Sequence, residues 1–72
     1  MTLKEFADLA GVEIVDCDPE WGGKFAYITK DYPNCMISGF RTKRAAYRAW
    51  LQDTYGKYAA VAIVKLLDTK ID

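Results

Sequence analysis

The sequence predicts an α+β fold built as one small domain over residues 1–72: a short N-terminal helix, a three-stranded antiparallel sheet, a covering helix and a C-terminal apolar helix. Three observations predict it. A helix with its own capping signals opens the chain. Three runs rich in β-branched and aromatic residues follow, separated by turn-forming residues. A second capped helix comes after them, and 72 residues leave room for one core only.

The N-terminal helix is predicted over 2–10. Thr2 can cap it, Glu5 completes a capping box, and Gly11 is placed to end it. Its apolar residues recur at helical spacing: Leu3, Phe6, Leu9 and Ala10. The segment TLKEFADLAGV is similar to the first helix of bacterial helix-turn-helix repressors. An extended, acidic segment, EIVDCDP, follows where those repressors have a recognition helix, so the similarity ends there.

Three strands are predicted next, over 12–17, 24–30 and 35–40. The loop DPEWGG joins the first two, and Asp, Pro and Asn indicate a turn at 31–34 between the second and third. The second and third strands therefore form a β-hairpin. Alternation along the second strand predicts that one face of the sheet carries Phe25, Tyr27 and Thr29 and the other carries Ala26 and Ile28.

The covering helix is predicted to begin at Lys43, with Thr42 as its N-cap and Gly56 as its stop. Its alanines let it lie close to the sheet, while Trp50 and Leu51 supply bulk. The residues on its predicted packed side are Ala45, Ala46, Ala49, Trp50 and Asp53, and Tyr47, Leu51 and Tyr55 widen the apolar arc.

The segment 57–67, KYAAVAIVKLL, is apolar on every side from Tyr58 to Val64, so periodicity does not separate helix from strand. Its alanines favour a helix, and its β-branched residues favour a strand. We predict a helix, with a fourth strand of the sheet as the alternative. An all-round apolar element in so short a chain also suggests a contact with another protomer, and hence a homodimer through 58–67.

Charge is unevenly distributed although the formal net charge is zero. Residues 1–23 carry a net charge of −5, residues 24–65 carry +6, and the last residues add −1. Two charged groups are candidate partner-binding sites: an acidic loop of Asp16, Asp18 and Glu20, and a basic cluster of Arg41, Lys43, Arg44 and Arg48. The basic cluster lies at the helix N-terminus, which disfavours cations, so helix stability does not explain it. Trp21 is a candidate anchor for a partner, and its alternative role is to plug one end of the core.

The chain carries no set of residues typical of an enzyme or a metal site. Histidine is absent, which removes the commonest general base and metal ligand. Cys17 and Cys35 are predicted to be reduced thiols, with a disulfide as the alternative. The acidic loop is spaced like the first half of a calcium loop, but Trp21 replaces the glycine of the sharp turn. We therefore expect no enzymatic activity, no cofactor and no metal. No run is long enough to span a membrane, and no secretory signal opens the chain, so a cytoplasmic protein without a membrane partner is expected.

The segment ISGFRTKRAAYRAW resembles the hairpin-to-helix junction of integrase arm-binding and AP2-type domains. The likeness covers about residues 24–50. It implies a three-stranded sheet, backed by one helix, that reads a nucleic-acid groove, with Phe25 and Tyr27 available to stack on bases. The strands here offer only Lys24 and Lys30 as cations, fewer than in those families.

The function expected from these observations is that of a small non-enzymatic protein-interaction module. Charge would orient a partner protein, and aromatic side chains would supply affinity. The size suits an accessory protein of a phage or mobile element that binds and inhibits a host protein. The alternative is a nucleic-acid-binding domain that uses the sheet and the basic helix start at 41–48.

Overall fold

A computed structural model describes residues 1–67, with the exception of the Trp21 side chain. The helices are α1 (Leu3–Ala10), α2 (Lys43–Tyr55) and α3 (Lys57–Leu66), and a 3₁₀ turn covers Pro19–Trp21. The strands are β1 (Val12–Asp16), β2 (Phe25–Thr29) and β3 (Tyr32–Phe40). The predicted α+β fold is confirmed, and the segment after Gly56 is a helix, so the alternative of a fourth strand is wrong. No helix in residues 1–67 is long and apolar enough to cross a membrane.

The sheet is antiparallel in the order β1-β2-β3. Its hairpin differs from the sequence prediction, because Thr29 pairs with Tyr32 and the turn therefore comprises Lys30 and Asp31. β3 starts at Tyr32 instead of Cys35. Pro33 is tolerated within it because β3 lies at the edge of the sheet, where a missing N–H breaks no ladder hydrogen bond.

The pairing of β2 with β3 is irregular at two places. The register shifts between Phe25 and Ala26 and again between Tyr27 and Thr29. The first shift leaves Gly39 unpaired with a φ of 101°, a conformation that favours glycine and fits a β-bulge. β3 is therefore a bent edge strand, whereas β1 keeps one register along its whole length.

The core lies between the helices and one face of the sheet. Val12 and Tyr27 come from the strands, and their cross-strand neighbours share this face. The helices contribute the other buried side chains of the cluster: Leu3, Ala7, Tyr47, Trp50, Leu51 and Ala60. The buried side of α2 therefore includes Tyr47 and Leu51. Asp53, which the sequence predicts on the packed side, is exposed.

Capping fixes the helix boundaries as the sequence predicts. The Thr2 hydroxyl accepts from the Glu5 N–H at 3.1 Å, and the Thr42 hydroxyl accepts from the Ala45 N–H at 3.1 Å. Gly56 lies between α2 and α3 with φ 95° and ψ 162°, a region that only glycine occupies readily. This one residue lets α3 begin immediately after α2 and pack beside it.

A partly buried hydrogen bond ties the sheet to α2. The Tyr27 hydroxyl donates to the Asp53 carboxylate at 2.6 Å, and Tyr27 is 5% exposed. Burial raises the pKa of Tyr27 well above its usual range, and the hydrogen bond and negative charge of Asp53 raise it further. Burial also raises the pKa of Tyr47, with a contribution from Asp8.

We expect the protein to lose stability in alkaline solution because of these two tyrosines. Each holds its proton more tightly in the folded chain than in the unfolded chain, where the pKa is about 10. Their contribution is complete below about pH 10 and is lost as the pH rises further, at up to about 1.4 kcal/mol per pH unit for each group. Urea unfolding across this range should show a smaller pH slope for Tyr27→Phe than for wild type. The exposed Tyr58→Phe is the control and should keep the wild-type slope; an unchanged slope in Tyr27→Phe would contradict the assignment.

The loop between β1 and β2 packs its backbone against the end of β3. A Cβ added at Gly23 would lie 2.8 Å from the Phe40 backbone nitrogen and closer still to the Phe40 carbonyl. The Cys17 thiol contacts the Gly23 carbonyl at 3.1 Å, and the Cys17 N–H donates to the Lys24 carbonyl at 2.8 Å. The loop is therefore held close to the strand ends.

Candidate functional site

The acidic loop and the start of the basic cluster lie at the same end of the sheet. Asp16 pairs with Phe25, and Phe25 pairs with Phe40, after which Arg41 follows directly. Neighbouring strands are about 4.8 Å apart, so only about 10 Å separates the β1 and β3 backbones at this end. Acidic and basic residues that are separated along the sequence therefore lie at the same end of the sheet and do not form two opposite poles of the molecule.

The acidic loop is exposed at all three of its carboxylates, Asp16, Asp18 and Glu20. Asp18 has a structural role, because its carboxylate accepts from the Glu20 N–H at 3.0 Å and caps the 3₁₀ turn. No group of three or more His, Cys, Asp or Glu residues within 1–67 is arranged to hold a metal ion. The predicted anchor Trp21 belongs to this turn, but its side chain lies outside the described residues.

The basic cluster divides between two surfaces. All four side chains are exposed. Arg44 and Arg48 are one turn apart on the same side of α2, whereas Lys43 lies one turn before Tyr47 and lines a groove with it. Arg41 precedes the helix. The cluster that is continuous in sequence is therefore not one contact surface.

Cys17 and Cys35 are both free thiols in the structure. Cys35 is exposed on β3, and Cys17 is partly buried at the opposite end of the sheet. Because the two cysteines lie at opposite ends of the sheet, a disulfide between them does not fit this fold.

The outer face of α3 is a stripe of exposed apolar residues that the core does not use. Tyr58 is 90% exposed, Leu66 84% and Val61 39%. These residues, with Ala62 and Lys65, follow helical spacing on the side opposite the buried Ala60. The α3 outer face, defined as Tyr58, Val61, Ala62, Lys65 and Leu66, thus presents a large ring and a large aliphatic side chain to solvent.

A groove of about 600 Å³ opens between α1, β1 and the start of α2. Val12 and Ile14 lie at its apolar floor, and Glu13 also lines it. Side chains of consecutive strand residues point to opposite faces, so a groove lined by three consecutive residues runs along the edge of the strand. We call this feature the β1-edge groove. Its helical wall is formed by Lys4, Asp8, Lys43 and Tyr47.

Two polar features distinguish the helical wall of this groove. The Lys4 ammonium and Asp8 carboxylate form an ion pair at 3.1 Å, and the hydrogen bond from Lys4 raises the pKa of that lysine. Tyr47 is only 4% exposed, and no residue within 1–67 forms a hydrogen bond with its hydroxyl. No buried side-chain oxygen or nitrogen in that range lacks a partner, so the small exposed part of Tyr47 includes its hydroxyl. The hydroxyl therefore opens into the groove.

The β1-edge groove is not evident from the sequence, whereas the all-round apolar character of 58–67 already suggests an exposed apolar face on this segment. The Lys4 and Asp8 pair has the spacing of four that brings side chains together on a helix, and this signal was available. The sequence places Tyr47 only in the apolar arc of α2, because nothing local shows that its hydroxyl reaches a groove.

No protein-family model, curated protein or solved structure matches this chain.

Proposed function

We propose that the chain is a small non-enzymatic protein-interaction module that binds its partner through the α3 outer face. The exposure of Tyr58 and Leu66 on one helix carries this proposal. A contiguous apolar stripe on a small domain is typical of an interaction site, and tyrosine is among the residues that contribute most to binding.

The charges around α3 indicate the chemistry of the partner. α3 contains Lys57 and Lys65 and no acidic residue. An acidic protein surface with an apolar centre would complement this helical surface.

The biological setting that this module fits is the one expected from the sequence. A cytoplasmic accessory protein of a phage or mobile element could cover a functional surface of a host protein and so inhibit it. A second copy of the chain is the competing occupant, because the α3 outer face is apolar enough to form a homodimer through 58–67.

The test is a double substitution, Tyr58→Glu with Leu66→Glu, in a crosslinking and pulldown experiment. We expect more than a tenfold loss of the specific partner, with unchanged circular dichroism, because both side chains are exposed. Leu9→Glu is the matched control, since Leu9 is 73% exposed on a different helix. Sedimentation of the wild type and the double variant separates partner binding from homodimerisation. Equal capture by all three proteins would contradict the proposal.

Nucleic-acid binding is the second candidate, favoured by the exposure of the basic cluster. The helical surface, not the sheet, would carry it, because Tyr27 is buried in the core and cannot stack on bases. Within 1–67, the face of the sheet opposite the helices presents Glu13, Val15, Ile28 and Ser38, and its cations are Lys24 and Lys30 at the two ends of β2. Titration with mixed DNA and RNA at several salt concentrations tests this candidate. Affinity that falls with rising salt, and is lost in Arg41→Glu/Arg48→Glu, would support it over the protein-interaction module.

A further inference from the structure

The outward edge of β1 carries backbone groups without a strand partner. In the described sheet β1 has a neighbour, β2, on one side only. The Lys30 N–H donates to the Gly11 carbonyl at 2.9 Å, and the Cys17 N–H donates to the Lys24 carbonyl at 2.8 Å. Hydrogen-bonded pairs alternate with non-hydrogen-bonded pairs in an antiparallel ladder, so 11, 13, 15 and 17 direct their backbone groups towards β2. The N–H and C=O groups of Val12 and Ile14 therefore point away from β2.

These outward groups lie in the β1-edge groove. Val12 and Ile14 both line it, and Val12 is only 3% exposed. No backbone hydrogen bond from another loop, turn or cap within 1–67 reaches them. The unpaired backbone groups of an edge strand are a template for pairing with another chain, so these groups favour a ligand that supplies a complementary backbone.

The Tyr47 hydroxyl supplies a polar group to the same groove. The residue as a whole is more than nine-tenths buried, but its hydroxyl opens into the groove and has no hydrogen-bond partner within 1–67. Lys43 lines the groove beside it. A carboxylate of a ligand could accept a hydrogen bond from the Tyr47 hydroxyl and pair with the Lys43 ammonium.

We propose that the β1-edge groove binds an extended peptide, which adds to the sheet as a fourth strand. The peptide backbone would pair with the N–H and C=O groups of Val12 and Ile14. This surface shares no residue with the α3 outer face, so the inference goes beyond the function proposed above and does not depend on it.

Charge determines which peptide fits the groove. The peptide residue opposite Glu13 lies on the face of the sheet away from the helices, where a lysine or arginine is favoured. The peptide residues on either side of this cation point to the helix side of the sheet. There, one acidic side chain reaches Lys43 and Tyr47, and one apolar side chain covers the floor of the groove formed by Val12 and Ile14. The preferred sequence therefore places a cationic residue between an acidic and an apolar residue.

A second copy of the chain is a poor occupant of this edge. β1 has the sequence VEIVD, with two acidic residues and no cation. Pairing of two β1 strands would bring like charges together across the strands, which is destabilising. The edge therefore selects a different chain with a cationic residue.

The test uses a fluorescent synthetic peptide of about seven residues, long enough to pair along β1. It places glutamate, lysine and valine in succession, with the lysine opposite Glu13. We expect saturable binding by fluorescence anisotropy and slower hydrogen exchange at the Val12 and Ile14 amides. N-methylation of the peptide N–H groups that face β1 should weaken binding more than tenfold, whereas N-methylation at the alternate positions should leave it nearly unchanged.

Charge exchange and side-chain variants complete the test. Glu13→Lys should weaken binding about fivefold and regain it with a peptide in which glutamate replaces the lysine. Tyr47→Phe should weaken binding about threefold without unfolding the protein. The variant Tyr58→Glu/Leu66→Glu should bind the peptide as wild type does, so failure of the α3 proposal leaves this one standing. Absence of binding to the folded wild type, equal loss from both N-methylation patterns, or a dimer that protects Val12 and Ile14 would each overturn the proposal.

Discussion

Replacing Trp50 with alanine is expected to remove a large part of the free energy of unfolding of the protein. Trp50 is 3% exposed at the centre of the core, and its ring lies 5.7 Å from Phe6 and 6.3 Å from Tyr55, centroid to centroid. Removing a buried tryptophan costs about 3–5 kcal/mol. A domain of this size has a free energy of unfolding of about 4–11 kcal/mol, so the loss is a large part of the total.

Urea unfolding followed by circular dichroism measures this loss. Trp50→Phe keeps an aromatic ring in the same place and should lose less than half as much stability as Trp50→Ala. Tyr58→Ala serves as the exposed control and should change the free energy of unfolding by less than about 0.5 kcal/mol. A Trp50→Ala protein as stable as the control would show that α1 and α2 do not depend on this ring.

Replacing Gly23 with alanine should also destabilise the fold strongly, although it adds a single methyl group. The new carbon would overlap the backbone of Phe40, which cannot rotate away as a side chain can. The loop or the end of β3 must move, at a cost of about 1–3 kcal/mol. Gly23 does not have a positive φ, so the effect arises from space and not from backbone conformation.

Gly22→Ala is the matched control for this prediction. Gly22 has a φ of 97°, but its nearest neighbour to an added Cβ is the Gly39 Cα at 3.5 Å. Alanine at this position should lower the free energy of unfolding by about 1 kcal/mol, because only the left-handed backbone conformation opposes it. Thermal unfolding should therefore rank wild type above Gly22→Ala and Gly22→Ala above Gly23→Ala. The reverse order of the two variants would mean that the loop does not rest against β3.

The helices were predictable because their signals are local. Thr2 with Glu5 and Thr42 with Gly56 mark boundaries through contacts between near neighbours. The helix α3 was harder, because its apolar residues fit either secondary structure, and packing against α2 selects the helix. The start of β3 was predicted too late, because Pro33 reads as a turn residue unless the strand is known to lie at an edge.

From the sequence, the candidate sites could be predicted only as groups of charged residues, and not as surfaces. Asp16, Asp18, Glu20 and the basic cluster are exposed, as solvated charges usually are. Which of them lie together depends on strand order, and that order brings Asp16 and Arg41 to one end of the sheet. The β1-edge groove depends on the packing of three elements and on which residues of β1 direct their backbone groups away from β2. None of these is encoded in a short stretch of sequence.

The contrast between the two edge strands has a consequence for self-assembly. A protein with two regular open edge strands can pair edge to edge, with β1 of one molecule against β3 of the next. Such head-to-tail pairing can continue without limit. Here β3 lacks a donor at Pro33 and is bent by two register shifts, so its outer edge offers no regular template. A strand can be added at β1, but the addition cannot be repeated at the other side. The molecule can accept one partner strand and still resist growth into fibres.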